Sequence, residues 1–129
     1  MKLLIDTHAF LWIISGSDKL SAEATDAFLD ADNQLFFSAA SYWEIGIKQS
    51  LGKLVLVDNW AQIFDQEMVA NGIKWLPIEK EHCQRLSALP FIHRDPFDRM
   101  LIAQAAEGNM VLLTADANIG QYPGVQVVW

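Results

Sequence analysis

The sequence predicts an α/β protein in which a short parallel β-sheet lies between layers of helices. Short, continuously apolar runs are typical of strands that are buried on both faces, as in parallel sheets. Helical patterns separate most of these runs, which is the order of βαβ units. The length of 129 residues and the 52% content of hydrophobic residues suit one compact domain over residues 1–129.

Five runs are predicted to be strands and five segments to be helices. Ser21 is a typical N-cap, Gly52 and Gly108 are typical residues after a last turn, and Pro90 ends the helix before it. The predicted strands are residues 3–5, 35–37, 110–113, 125–128 and, with a weaker pattern, 73–76. The predicted helices are residues 22–31, 42–51, 60–70, 80–89 and 96–107.

The chain is acidic, with a net charge of −7 from 16 acidic and nine basic residues. This charge disfavours a domain that holds nucleic acid through a basic surface. It is compatible with an enzyme that meets phosphates through metal ions, and an acidic surface also attracts basic partners.

Two features predict a cytoplasmic location without a membrane span. The single cysteine, Cys83, cannot form an internal disulfide, which suits a reducing compartment. The first residues faintly resemble a signal peptide, but Asp6 and His8 interrupt them. The longest uncharged apolar run, residues 9–14, is too short for a signal-peptide core or a membrane helix.

Four carboxylates stand where parallel α/β proteins build their sites, beyond the carboxyl ends of the strands. Asp6 follows the first predicted strand directly, and Asp116 follows the strand at residues 110–113 after two residues. Glu44 lies early in the helix after the second strand, and Asp98 lies in the first turn of the last predicted helix.

Asp6, Asp116 and Glu44 also have purely structural explanations. Asp6 and Asp116 could each cap a helical turn that follows. Glu44 completes an S-x-x-E capping box with Ser41 and stands one turn before Lys48, with which it could pair.

The stretch HRDPFDR has a similar ambiguity. Asp95 has the features of an N-cap, because Pro96 would be the first helical residue. Asp98 would then be the third helical residue, where a negative charge suits the helix dipole.

Convergence of the four acids favours a metal site over four unrelated helix caps. Capping does not require the four side chains to lie close together, whereas metal binding does. Mg²⁺ and Mn²⁺ prefer oxygen ligands, and carboxylates massed at one sheet edge repel one another unless they bind a cation or a proton. The histidines and the cysteine lack zinc-site spacing, and esterase, P-loop and dinucleotide motifs are absent.

At these four carboxylates the chain resembles the PIN-domain ribonucleases, and in particular the VapC-type toxins of prokaryotic toxin–antitoxin pairs. The resemblance runs in order through LLIDTHAFLW, SAASYWEIGIK, HRDPFDRMLIAQA and LLTADANI, and it covers nearly the whole chain. It implies a three-layer fold with a short parallel sheet, and an acidic pocket that holds Mg²⁺ or Mn²⁺ and cleaves single-stranded RNA.

The resemblance also implies roles for individual residues. Thr7 and Thr114 match hydroxyl positions that help to arrange the site, and Asp95 would support it from the helix cap. Where the wider family often has Asn or Ser this chain has His8, which leaves open whether His8 contacts substrate, holds Asp6 or only packs. The family acids, which act as catalytic residues and metal ligands, fall on Asp6, Glu44, Asp98 and Asp116.

Three basic residues near the motifs are candidates for contact with RNA phosphates. They are Lys48, Arg94 and Arg99, and each could equally be a solvated surface charge. Arg94 and Arg99 flank the HRDPFDR motif, so they are the stronger candidates for substrate binding.

The resemblance further implies a homodimer and a small antitoxin partner. Such antitoxins wrap a helical, often basic tail around the toxin and can place a positive side chain in the acidic pocket. The aromatic stretches at residues 10–12 and 42–43 could help to form the groove for this tail, or could belong to the core.

Other functions fit the sequence less well. A receiver-like phosphorylation module would need paired acids after the first strand and a lysine after the last, and a haloacid-dehalogenase-type phosphatase would need DxDxT where this chain has DTH. A catalytically silent PIN-fold module that only binds a protein is the remaining alternative. The presence of all four acids gives it no support, whereas partner binding without RNA cleavage would favour it.

Overall fold

The computed structural model describes residues 1–129, which form five strands, six α-helices and one short 3₁₀ helix. None of the helices combines the length and the hydropathy needed to cross a lipid bilayer. The strands are β1 (Lys2–Ile5), β2 (Gln34–Ser38), β3 (Ile73–Leu76), β4 (Val111–Leu113) and β5 (Gln126–Val128). The helices are α1 (Thr7–Ser15), α2 (Ala22–Leu29), α3 (Ala39–Ser50), α4 (Trp60–Ala70), α5 (Lys80–Ser87) and α6 (Pro96–Gly108), and the 3₁₀ helix spans Ile119–Gln121.

All neighbouring strands are parallel, in the order β3-β2-β1-β4-β5. The chain builds the sheet outward from β1 to β3 and then returns to the other side of β1 with β4. The strand order therefore reverses between β1 and β4, which is where open parallel sheets form a crevice for ligands. The backbone N–H of Asp6 donates to the carbonyl of Leu113 at 3.1 Å, so pairing between the two strands continues to this crevice.

Each face of the sheet carries its own apolar cluster, as the predicted three-layer fold requires. Alternate side chains of β1 point to opposite faces, so Leu3 and Ile5 join one cluster and Leu4 joins the other. All three side chains are fully buried. Helical residues complete the first cluster with Phe10, Ala24, Ile45 and Phe64, and the second with Leu101, Ile102 and Ala105.

Most predicted elements are confirmed, and among them the largest shift of a boundary lies at the start of α3. This helix begins at Ala39, three residues before the predicted start, because Ser38 caps it: the Ser38 hydroxyl accepts the Ala40 N–H at 3.0 Å. Ser41 consequently lies inside the helix, and the predicted capping box between Ser41 and Glu44 is wrong. Helix α1 had no predicted bounds, because its apolar residues are too continuous to show a helical period.

Candidate active site

Four elements bring the four predicted acids to the crevice between β1 and β4. Asp6 directly follows β1, Asp116 follows β4, Glu44 lies in the second turn of α3, and Asp98 lies in the first turn of α6. Asp6 and Asp116 line one cavity, and the charges of Asp6 and Glu44 both act on Asp98. The structure therefore gathers all four side chains in one place.

Asp6 is both a helix cap and a member of the acidic group. Its side chain is buried, and Oδ1 accepts the Ala9 N–H at 2.7 Å as the N-cap of α1. Burial raises the pKa of Asp6, and the charge of Glu44 raises it further, against hydrogen bonds from Thr114 and Ala9 and the charge of His8. The two readings of Asp6 from the sequence are thus compatible, because one carboxylate offers two oxygens.

Glu44 is buried and fixed from two sides. The Thr7 hydroxyl donates to Oε1 at 2.7 Å, and the Lys48 ammonium donates to Oε2 at 2.6 Å. The hydrogen bond to Glu44 is the main reason that the pKa of Lys48 is raised. Lys48 is therefore a counter-ion inside the acidic group, and its pairing with Glu44, proposed from the sequence, is confirmed.

Asp95 and Asp98 have different environments although they are three residues apart. Asp95 caps α6: its Oδ1 accepts the N–H groups of Phe97 and Asp98 at 2.9 and 3.1 Å. Desolvation by burial is the largest cause that raises the pKa of Asp98 to about 7. The charge of Asp95 is the next cause, and the charges of Glu44 and Asp6 add to it, whereas the charge of His93 acts in the opposite direction.

Thr114 links the ends of β1 and β4. Its hydroxyl accepts the Asp116 N–H at 3.1 Å and hydrogen-bonds to Asp6. The Asp116 carboxylate in turn accepts the Asn118 N–H at 2.9 Å, as a local cap. Thr7 and Thr114 thus each hold one of the acids, as the sequence motifs imply.

His93 is a site residue that the sequence reasoning missed. Its Nε2 lies 3.1 Å from a carboxylate oxygen of Asp98 and 3.1 Å from one of Asp116. Its Nδ1 accepts the Asp95 N–H at 3.1 Å, a contact that fits the tautomer with its proton on Nε2. With the proton on Nε2, this nitrogen donates to the carboxylates of both acids.

The position of His93 in the sequence hints at its place in the site but does not establish it. It stands two residues before the cap in HRDPFDR, which places its Nδ1 over the backbone N–H of Asp95. Its contact with Asp116 spans 23 residues and depends on the tertiary fold. The potential ligand atoms of His93, Asp98 and Asp116 all lie within 4.8 Å of one another.

Arg99 does not face the acidic group, and the prediction that it contacts RNA phosphates is wrong. The side chain is 4% exposed, and its guanidinium donates to three backbone carbonyls and to the Tyr122 hydroxyl. The Tyr122 hydroxyl also accepts the His93 N–H at 2.8 Å. Arg99 therefore holds the loop between α5 and α6, and only Arg94 of the pair is exposed. The carbonyls belong to Leu86, Leu89 and Pro90.

The donor set of the acidic group fits a hard divalent cation. Its side chains offer carboxylate and hydroxyl oxygens, the ligands that Mg²⁺ and Mn²⁺ prefer. The raised pKa values of Asp6 and Asp98 reflect carboxylates that are crowded and partly removed from water. A divalent cation would offset both effects.

The fold and the site define a parallel α/β protein with a carboxylate pocket where the strand order reverses. The model of the PIN domain family matches residues 3–125, and the chain belongs to this family. PIN domains are in general nucleases that hydrolyse phosphodiester bonds.

Solved structures with the same fold include three toxin–antitoxin complexes. VapBC2 from Rickettsia felis, bound to a DNA fragment from its promoter, has a TM-score of 0.74 at 12% identity and covers 98% of this chain and 97% of its own. DNA-bound VapBC from Salmonella typhimurium has a TM-score of 0.69 at 17% identity, with 98% and 96% covered. VapBC-1 from nontypeable Haemophilus influenzae has a TM-score of 0.66 at 19% identity, with 98% and 96% covered. No match was found among curated protein sequences.

Asp98 should make the stability of the metal-free protein depend on pH. Since its pKa rises from 3.8 to about 7 on folding, the folded chain holds this proton more tightly than the unfolded chain. The resulting stabilisation is fully present below about pH 4 and is lost as the pH rises through about 7. With a chelator present, we expect the free energy of unfolding of the wild type to fall by up to about 1.4 kcal/mol per pH unit in this window, relative to Asp98→Asn.

Urea denaturation of both proteins from about pH 5 to about pH 8 measures this difference. The Asp98→Asn protein is the matched control, because an amide does not titrate there. Stability curves that run parallel over the whole range would contradict the raised pKa of Asp98.

Replacement of Arg99 should destabilise the fold. Arg99→Met keeps an apolar stem but leaves three partly buried carbonyls without a donor, so we expect a loss of about 1–3 kcal/mol in the free energy of unfolding. Arg94→Met is the control and should stay within about 0.5 kcal/mol of wild type, because Arg94 is exposed. Equal stability of the two variants in urea denaturation would show that Arg99 does not hold the loop.

Proposed function

We propose that this protein is a metal-dependent endoribonuclease that cleaves single-stranded RNA and is the toxin of a type II toxin–antitoxin pair. The observation that carries the proposal is the convergence of four carboxylates from four elements at the crevice between β1 and β4. Membership of the PIN family supports phosphodiester hydrolysis. The likeness in fold to the toxin–antitoxin complexes supports the toxin role and an antitoxin partner.

The proposed cofactor is Mg²⁺, or Mn²⁺, because the acidic group offers oxygen ligands. When bound, the ion supplies a Lewis acid that activates water for attack on the phosphodiester and offsets the charge of the phosphate. The residues that would hold it are Asp6, Glu44, Asp98 and Asp116.

The pocket has a fixed side, which positions ligands, and a more open side, which can contact water. Hydrogen bonds from Ala9 and Thr7 hold the buried carboxylates of Asp6 and Glu44 in place. Asp98 is more exposed, so its carboxylate can reach the water and orient or deprotonate it. The Nε2–H of His93 stabilises the ionised form of Asp98 and orients it.

Charge supports the partners in this proposal. A protein with a net charge of −7 is a suitable target for a basic antitoxin tail. The exposed guanidinium of Arg94, next to the pocket in sequence, is a contact for an RNA phosphate. The proposal includes a homodimer and a cytoplasmic location.

Cleavage assays on a fluorogenic single-stranded RNA test the nuclease directly. We expect wild type to cleave with Mg²⁺ or Mn²⁺ and not with EDTA, and Asp98→Asn to lose activity by about 100-fold or more, because it removes a ligand and a proton acceptor. Asp95→Asn is the matched control and should keep activity within about threefold, because asparagine caps a helix about as well as aspartate.

Two results would contradict the proposal. Equal loss of activity in both variants would mean that Asp98 and Asp95 do not have the different roles, catalytic residue and helix cap, that the proposal gives them. Absence of cleavage by folded wild type that is free of bound antitoxin, together with binding of a protein partner, would favour the catalytically silent module.

Titration with Mn²⁺ tests the ligand set. We expect Asp6→Asn to weaken Mn²⁺ affinity by about tenfold or more, since it removes a negative oxygen ligand. His93→Ala should leave the affinity within about threefold, because all four carboxylates that the proposal assigns as ligands remain. Electron paramagnetic resonance of free Mn²⁺ measures both affinities, and a loss in His93→Ala as large as in Asp6→Asn would make His93 a ligand.

A further inference from the structure

We propose that His8 and Trp12 form a stacking site for one nucleobase of the RNA, beside the carboxylates. This inference rests on the proposed function, because the position of the base follows from a scissile phosphate held at the acidic group. It assigns to the pocket a contact with the substrate that needs no basic side chain.

The two rings belong to one face of α1 and form one wall of a cavity. They are four residues apart, so they lie one above the other on the helix, with ring centroids 6.0 Å apart. The cavity has a volume of about 300 Å³, at the small end of ligand pockets. Its other lining residues are Asp6, Ala115 and Asp116, so the aromatic wall is continuous with the acidic group.

The chemistry of this cavity favours a base over a phosphate. Asp6 and Asp116 would repel a phosphate that lacked a cation, whereas the rings and the Ala115 methyl offer flat or apolar surface. Every nucleobase has a π-face, so stacking on aromatic rings accepts single-stranded RNA without a fixed sequence. His8 is exposed and makes no hydrogen bond within the chain, so its ring is free to contact a ligand.

Trp12 is held in place, which lowers the entropic cost of binding a base. Its ring lies 5.5 Å from that of Trp129, and the Lys19 ammonium lies 5.8 Å from its centre. The ring is half-buried and lines the cavity, so this part of the site is in place before RNA binds.

A second aromatic cleft is a weaker candidate for the same base. It has a volume of about 170 Å³ and includes Trp43 and Phe97, whose rings pack edge to face at 5.3 Å. None of its lining residues is a carboxylate. A nucleotide whose phosphate lies at the acidic group therefore reaches the cavity of His8 and Trp12 more directly.

Binding of two hexamers with the same backbone charge separates stacking from phosphate contacts. One is labelled hexauridylate and the other is an abasic ribose-phosphate hexamer, and fluorescence anisotropy with Mn²⁺ at fixed ionic strength gives each Kd. The parent protein carries Asp98→Asn so that the RNA stays intact. We expect addition of Trp12→Leu to raise the Kd for hexauridylate by about tenfold, the effect of one lost base–aromatic stack, and to leave the Kd for the abasic hexamer unchanged.

Trp75→Leu in the same parent is the matched control. Trp75 is 49% exposed on the edge strand β3, so its replacement should change neither Kd. His8→Ala removes an exposed ring without a cost in packing, so it tests the site even where Trp12→Leu lowers stability. We expect it to raise the Kd for hexauridylate by a smaller factor in the same direction.

The outcomes distinguish this inference from the nuclease itself. Equal affinity of the parent for both hexamers, including no binding of either, overturns the stacking site, as does an equal effect of Trp12→Leu and Trp75→Leu. Base-dependent binding that both His8→Ala and Trp12→Leu weaken supports the site even where wild type cleaves no RNA. Cleavage by wild type without base-dependent binding overturns the stacking site and leaves the nuclease in place.

Discussion

Crowding of like charges at the carboxyl end of β1 is the constraint that shapes the surrounding structure. Carboxylates that are partly removed from water repel one another and disfavour their own ionised forms. The chain nevertheless gathers four of them, and the pKa of Asp98 rises to about 7, mainly because of burial and further because of the charges of Asp95, Glu44 and Asp6. Such an arrangement lowers the stability of the fold at neutral pH, so it is typical of a site that is built for a ligand.

The neighbouring residues offset this repulsion through local contacts of several kinds. Lys48 supplies a positive charge to Glu44, and the Thr7 hydroxyl and the Ala9 N–H donate to Glu44 and Asp6. Asp6 and Asp98 also lie at the N-terminal ends of α1 and α6, where the helix dipole favours negative charge. The capping explanations and the metal-site explanation for these acids are therefore one arrangement, because a helix N-terminus stabilises the carboxylate that the site needs.

His93 and Arg99 connect the acidic group to the loop between α5 and α6. Both residues donate to the Tyr122 hydroxyl: His93 through its backbone N–H and Arg99 through its guanidinium. The Arg99 guanidinium donates to backbone carbonyls of the loop and so fixes it. The loop in turn places the His93 ring against Asp98 and Asp116. In the proposed enzyme, the charge of Arg99 thus acts on the geometry of the pocket and not on the RNA.

Sequence patterns predicted what depends on local order and missed what depends on contacts across the fold. Continuous apolar runs located the strands, and the cap at Asp95 followed from the proline after it. The start of α3 was wrong because Ser38 and Ser41 are both plausible caps, and only the end of β2 at Ser38 selects the first. Arg99 was misassigned because its flanking motif is polar, whereas its burial is set by Tyr122, 23 residues away.

The acidic composition and an RNA substrate are compatible if the contacts with RNA are largely uncharged. A basic surface would bind RNA through counterion release, with a steep dependence on salt. Stacking on aromatic rings gives affinity that depends on the bases and not on the charge of the chain. With a cation at the carboxylates and an aromatic wall next to them, the proposed enzyme can hold one nucleotide firmly while the rest of its negative surface stays available for a basic partner.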